Sequence, residues 1–144
     1  MWHVKKFEDL DLHTLEEIYR LRVSVFIVEQ ACAYQEIDGK DSLSIHIYNT
    51  DETGIIAYLR IIQEDPVSIG RVIVREDHRG AGLGRALMDQ AMDYVDLHHA
   101  GELIYLHGQA HLEKYYQSFG FKTVSAMHLE DDIPHYHMEY RKEE

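Results

Sequence analysis

The 144-residue sequence contains one cysteine and two prolines, and its 14 lysines and arginines are outnumbered by 26 aspartates and glutamates. A lone cysteine, Cys32, excludes an internal disulfide framework. No run of 18 apolar residues is present, which removes the pattern of a membrane-spanning helix. The opening residues MWHVKKFEDL lack the apolar stretch of a secretory signal. Together these absences give the expectation of a cytoplasmic protein with no membrane partner. The net charge of −12 repels phosphate backbones, so nucleic acid is not expected as a partner. That charge suits a cationic ligand, or simply serves solubility. The length fits one domain over residues 1–144, enough to bury roughly two-thirds of the surface an unfolded chain exposes.

What is present alternates between strands and helices. WHVKKF reads as a first strand. Thr14 is expected to cap the next helix, with Glu17 three residues on completing a capping box. Leu15, Ile18, Tyr19, Val25 and Phe26 recur at helical spacing. Arg22 and Glu29, seven residues and hence two helical turns apart, fall on the same stripe. CAYQEIDGKD reads as a loop. LSIHIY, IIAYLRII, IGRVIV, ELIYLHG, FKTVSAM and HYHMEY read as strands. GLGRALMDQAMDYVDLHH and AHLEKYYQSF read as helices, the second stopped by Gly120, and HLEDDIP reads as a loop. The order predicts an α/β fold: a single mixed, largely antiparallel central sheet with helices on both faces.

One stretch carries chemistry. In RVIVREDHRGAGLGRAL an apolar strand runs into a short loop, and glycines at 80, 82 and 84 open a helix. Bare amides at a helix N-terminus form an anion site, and Arg79 and Arg85 add positive charge. A nucleotide P-loop needs Lys-Ser or Lys-Thr after its last glycine, whereas Arg85-Ala86 follows here. The dinucleotide fingerprint needs Gly-x-Gly-x-x-Gly, and the spacing here differs. Arg79, Gly82 and Gly84 instead spell Arg-x-x-Gly-x-Gly. A second stretch, GQAHLEKYYQSFGF, ends in Tyr-x-x-x-Gly-Phe at Tyr116, Gly120 and Phe121.

The two motifs, separated by a helix and a strand, resemble those of the GNAT N-acetyltransferases. VFIVEQACAYQEIDGKD, GQAHL and EDDIPHYHM resemble its ElaA-type branch over nearly the whole chain. The resemblance implies an N-acetyltransferase domain over residues 1–144, with acetyl-CoA as co-substrate and direct acetyl transfer to a primary amine of a small molecule or peptide. It implies that Arg79, Gly80, Ala81, Gly82, Leu83, Gly84 and Arg85 hold the pyrophosphate, and that Val72, Ile73, Val74 and Gln109 flank the pantetheine arm. Gln109 stands where the family often has Asn. The resemblance also implies an oxyanion donor in a backbone N–H near Val74 and a general acid in Tyr116. A bland reading of Tyr116 is a core tyrosine beside Tyr115. Acyl-homoserine-lactone synthases share the fold and an Arg-x-x-Val-Phe start, present here as Arg22 to Phe26. A CoA-binding sensor without turnover is the non-enzymatic rival.

Glu29 is the leading base, as a carboxylate closing an apolar stripe; its alternative is a buried ion pair with Arg22 that only shapes the site. His111, just past a strand end, is the second candidate, or a solvent-facing histidine. Arg22, Glu29, Tyr34 and Asp38 are expected to line the acceptor pocket, with Asp41 nearby. Asp131, Asp132 and His135 would form a second acidic wall. Eleven histidines raise the question of a metal. There is no His-Glu-x-x-His, His107 and His111 straddle an element boundary, and His135 and His137 share a strand face without a third ligand. No metal is therefore expected. The oligomeric state stays open, a homodimer included.

Overall fold

The computed structural model describes residues 1–142. Its strands are β1 (Trp2–Lys6), β2 (Ser44–Asp51), β3 (Gly54–Ile62), β4 (Val67–Val74), β5 (Ile104–Gln109), β6 (Lys122–Thr123), β7 (His128–Glu130) and β8 (Ile133–Tyr140). Its helices are α1 (Leu12–Val23), α2 (Leu83–His98) and α3 (Glu113–Gln117). All eight strands form one sheet in the order β1-β2-β3-β4-β5-β8-β6, with β7 paired on β8. Every pairing is antiparallel except β4 with β5.

Strand alternation sorts the core into two layers. Ile45, Ile47, Ala57, Leu59 and Ile61 point to one face and pack with Leu87, Met88, Ala91 and Val95 of α2 and with Tyr116 of α3. Tyr48, Ile55, Tyr58 and Ile73 point to the other and pack with Ile18 of α1 and Val25 beyond it. The sheet thus has helices on both faces.

The start of α1 departs from expectation. Asp11 is the cap, its carboxylate accepting from the Thr14 amide at 2.7 Å, so Thr14 lies inside the helix. Glu17 makes no capping box; it accepts from the Ile55 amide at 2.6 Å and joins α1 to β3. Beyond α1, Ser24–Glu29 winds as a π-helical turn, with Gln30 N donating to Val25 O. The β-branched run VSVFIV coincides with this widening. A wider turn rotates Glu29 away from the face that carries Arg22.

Arg22 is fully buried and anchors an ionic network. Its Nε donates to Glu36 Oε1 at 3.0 Å and its Nη1 to Asp41 Oδ1 at 2.6 Å. Arg60 adds Asp38 at 2.6 Å and Asp41 at 3.2 Å, and Arg71 adds Glu36 at 2.5 Å. Three arginines neutralise three carboxylates, which tie down the loop between α1 and β2. Burial of this kind costs heavily in desolvation, which the pairing of every charge offsets, although Asp41 Oδ2, Arg60 Nε and Arg71 Nε are buried without a hydrogen bond. His46 closes the network from β2. Its Nε2–H donates to Asp41 O at 2.9 Å, so its Nδ1 accepts from the Tyr58 hydroxyl at 2.6 Å.

Burial holds the His46 pKa below its ordinary 6.5, so the unfolded chain takes the proton more readily than the folded one. His46 therefore stabilises the fold fully above about pH 6.5, and that contribution is lost as pH falls below it. In urea unfolding, His46→Gln is expected to flatten the acid-side slope, by up to about 1.4 kcal/mol per pH unit for one proton. Parallel slopes for the two proteins would contradict the assignment.

Candidate active site

β4 and β5 pair at only two positions, Val67 with Ile104 and Ser68 with Tyr105. Past these the strands part. β4 carries a bulge there: Tyr58 opposes Ile73 and Arg60 opposes Gly70, leaving two β4 residues against Leu59. Arg71 sits in the bulge at φ +53, an unusual conformation for a side chain of its size. Its guanidinium reaches back to Glu36 and lies 5.4 Å from the Tyr34 ring centre. The ionic network of the α1–β2 loop thus holds the bend that turns β4 away from β5.

The parted strands enclose a cavity of about 710 Å³. Val72, Ile73 and Val74 form one wall; Leu106, His107 and Gln109 form the other; Tyr116 lies between them. Glu29, Tyr34, Arg79, Gly84 and His111 also line it. Most of the residues expected from the sequence are therefore brought together. Tyr116 is buried and stacks onto bare backbone: a Cβ on Gly108 would lie 2.8 Å from its ring. Burial pushes the Tyr116 hydroxyl up to about 12, so it stays protonated at neutral pH.

The glycine loop closes one end. Gly80 and Gly82 have φ of +86 and +79, and Gly82 caps α2 in the left-handed conformation. Open space surrounds both, so glycine is required by backbone geometry and not by crowding. The first amides of α2 have no partner within the helix. Arg79 Nε donates to Val74 O at 2.8 Å and Nη2 to Glu29 Oε2 at 2.9 Å. Ala81, Gly82 and Leu83 line a shallow neighbouring depression with Arg79.

Four expectations are corrected. Arg22 forms no ion pair with Glu29; it pairs with Glu36 and Asp41 and has no exposed surface with which to touch an acceptor. Glu29 is not an apolar-stripe carboxylate but an exposed one paired with Arg79. Asp38 is turned into the network against Arg60 and is absent from the cavity wall. Arg85 faces away, bonding Ser118 at 2.9 Å and stacking 4.6 Å from the Phe119 ring centre.

The segment read as a loop at HLEDDIP is a hairpin. β7 and β8 are joined by Asp131 and Asp132 at φ +51 and +64, the twist of a two-residue turn that asparagine, aspartate and glycine support. It brings Glu130, Asp131 and His135 to the cavity wall but not Asp132. It also gives His137, expected to share its face with His135 and no third ligand, a different set of neighbours: its ring stacks on His107 at 3.9 Å, Glu130 lies 3.2 Å from His107, and His128 lies 2.6 Å from Glu130. Two further wall-forming features went unread, the Arg71 bulge and the Gly108 slot. Gly70, alone inside an apolar strand, was the signal for the first.

Gly108→Ala would force its methyl into the Tyr116 ring. It is expected to cost about 1–3 kcal/mol of stability as overpacking, measured by urea unfolding; an unchanged midpoint would show that the ring is free to move.

Comparison with known proteins assigns the family. Residues 12–142 match the family model described as an acetyltransferase (GNAT) domain. Protein ElaA of Escherichia coli is 41% identical over 140 residues, covering 93% of this chain and 92% of ElaA, and its crystal structure superimposes with a TM-score of 0.94 over 98% and 99% of the two chains at 40% identity. The crystal structure of an acyl-CoA N-acyltransferase from Pseudomonas aeruginosa matches with a TM-score of 0.92 at 40% identity, covering 97% and 98%. A CoA-dependent acyl-homoserine lactone synthase shares the fold with a TM-score of 0.79 at 16% identity, over 96% and 82%. The chain belongs to the GNAT acetyltransferase family and, within it, to the ElaA-type proteins.

Proposed function

We propose that this protein transfers an acetyl group from acetyl-CoA directly to a primary amine of a small molecule or peptide. The observation that carries the reading is a continuous site: a cavity between parted strands, with a left-handed glycine loop and Arg79 at one end. The loop amides and Arg79 would take the pyrophosphate. The arm would lie along Val72 to Val74, where β4 pairs with β3 on one side and its edge toward β5 is left without a strand, with Gln109 opposite. Arg85 is left out of this set, since its guanidinium faces Ser118 and Phe119 just after α3.

The amine nitrogen attacks the thioester carbon, the C–S bond breaks, and the departing sulfur takes the proton of Tyr116. An N–H on β4 near Val74 would stabilise the carbonyl oxygen as charge develops. Glu29 accepts the proton lost by the amine, with His111 the second group on the wall able to do so. No acyl-enzyme is required. Glu36, Asp38 and Asp41 are neutralised by arginines and Glu29 is paired with Arg79, so attraction of a cationic amine rests on Glu130 and Asp131, on Glu29 once Arg79 turns to the pyrophosphate, and on the net charge of −12.

Release of CoA thiol from acetyl-CoA is expected with cationic amines in preference to anionic ones. Preference for anionic acceptors would overturn the acceptor class. Tight CoA binding with no thiol release in the presence of any amine would favour a CoA-binding sensor, and an acylated product only with S-adenosylmethionine would favour the homoserine-lactone chemistry. Tyr116→Phe is expected to lower kcat by about 10²–10⁴-fold with little change in KM for acetyl-CoA, measured in the same assay. An unchanged kcat would remove Tyr116 from the proton path. Glu29→Gln is expected to lower kcat by about 10²–10⁴-fold and His111→Asn to leave it within a few-fold; the reverse pattern would make His111 the base.

A further inference from the structure

We propose that His107, Glu130 and His137 bind one divalent transition-metal ion on the open sheet face beside the cavity. The three residues come from β5, β7 and β8. Their register places them on one face: His107 pairs with His137, and His128 pairs with His135. A nitrogen of each histidine and a carboxylate oxygen of Glu130 lie within 4.8 Å of one another. The His107 and His137 rings stack at 3.9 Å, and His107 Nδ1 lies 3.2 Å from Glu130 Oε2.

Two imidazoles and a carboxylate suit zinc and its first-row neighbours, leaving a position for water. Bonds of about 2.0–2.2 Å would bring ligand atoms roughly 3.4 Å apart, a closing of at most about 1.4 Å from the 4.8 Å within which they now lie. Side-chain rotation on an open surface supplies that movement, and His107 is half exposed. Glu130 is already oriented for the task. His128 Nε2 donates to its Oε2 at 2.6 Å. Support of a ligating carboxylate by a neighbouring hydrogen bond is what such sites need. The bound ion would pin the β7–β8 hairpin to β5 and cover Glu130, one of the carboxylates on the cavity wall. This proposal stands on the side-chain cluster alone and is independent of the acetyl-transfer reading.

The test uses the full chain stripped with a chelator and titrated calorimetrically with Zn²⁺, then with Co²⁺ followed by visible absorption. One ion per chain is expected, with a rise in the thermal unfolding midpoint as zinc is added. His137→Ala and His107→Ala should each weaken zinc binding by at least about tenfold and abolish that rise, whereas His98→Ala on α2 should change neither. Circular dichroism in chelator checks that the variants fold. Should His137→Ala fail to fold, the half-exposed His107→Ala decides alone. Wild-type binding weaker than about 1 mM, or equal binding by wild type and His107→Ala, overturns the proposal.

Discussion

The parting of β4 from β5 is the constraint on which the rest of the molecule depends. Two strands that pair in parallel would ordinarily continue to do so, because a buried backbone group without a partner costs free energy. Here pairing stops after Val67 and Ser68, and the gap is kept open from both sides. On β4 the Arg71 bulge turns the strand, and the guanidinium is held by Glu36 and Asp38. On β5 the Tyr116 ring lies against Gly108. The resulting cavity is lined on one side by a strand whose inner backbone edge awaits a partner, which suits a ligand rich in amides.

This arrangement explains a buried ionic network that would otherwise look wasteful. Apolar side chains in the place of Arg22, Glu36 and Asp41 could pack as well or better. They could not reach across to Arg60 and Arg71 and fix an irregular loop against a bent strand. The π-helical turn after α1 belongs to the same design. It swings Glu29 away from Arg22 and onto Arg79, so a carboxylate on the cavity wall stands at the edge of the glycine loop.

Much of this was legible in the chain. Alternation in LSIHIY and IIAYLRII marked strands, the spacing of Leu87, Ala91 and Val95 marked a helix, and Arg79, Gly82 and Gly84 marked the loop that the structure sets in left-handed conformation. What was not legible has physical causes. Arg22 and Glu29 obeyed a two-turn spacing, but a π-turn breaks that periodicity without a reliable sequence mark. Thr14 and Glu17 fitted a capping box, yet Asp11 lay one turn earlier and won the cap, freeing Glu17 to bond β3. Asp131-Asp132 reads as an acidic loop by composition, whereas aspartate also tolerates the positive φ of a tight hairpin. The histidine cluster follows from that error, since His107 and Glu130 are 23 residues apart and meet only once β7 is recognised.

The central claim is that the parted strands and the glycine loop receive an acyl-CoA. A crystal structure with acetyl-CoA bound tests it most directly. The account predicts the pyrophosphate on the amides of residues 80–84 beside Arg79, the pantetheine arm between β4 and β5, and the thioester within reach of the Tyr116 hydroxyl. Phosphates bound elsewhere, or an arm outside the gap between β4 and β5, would contradict it.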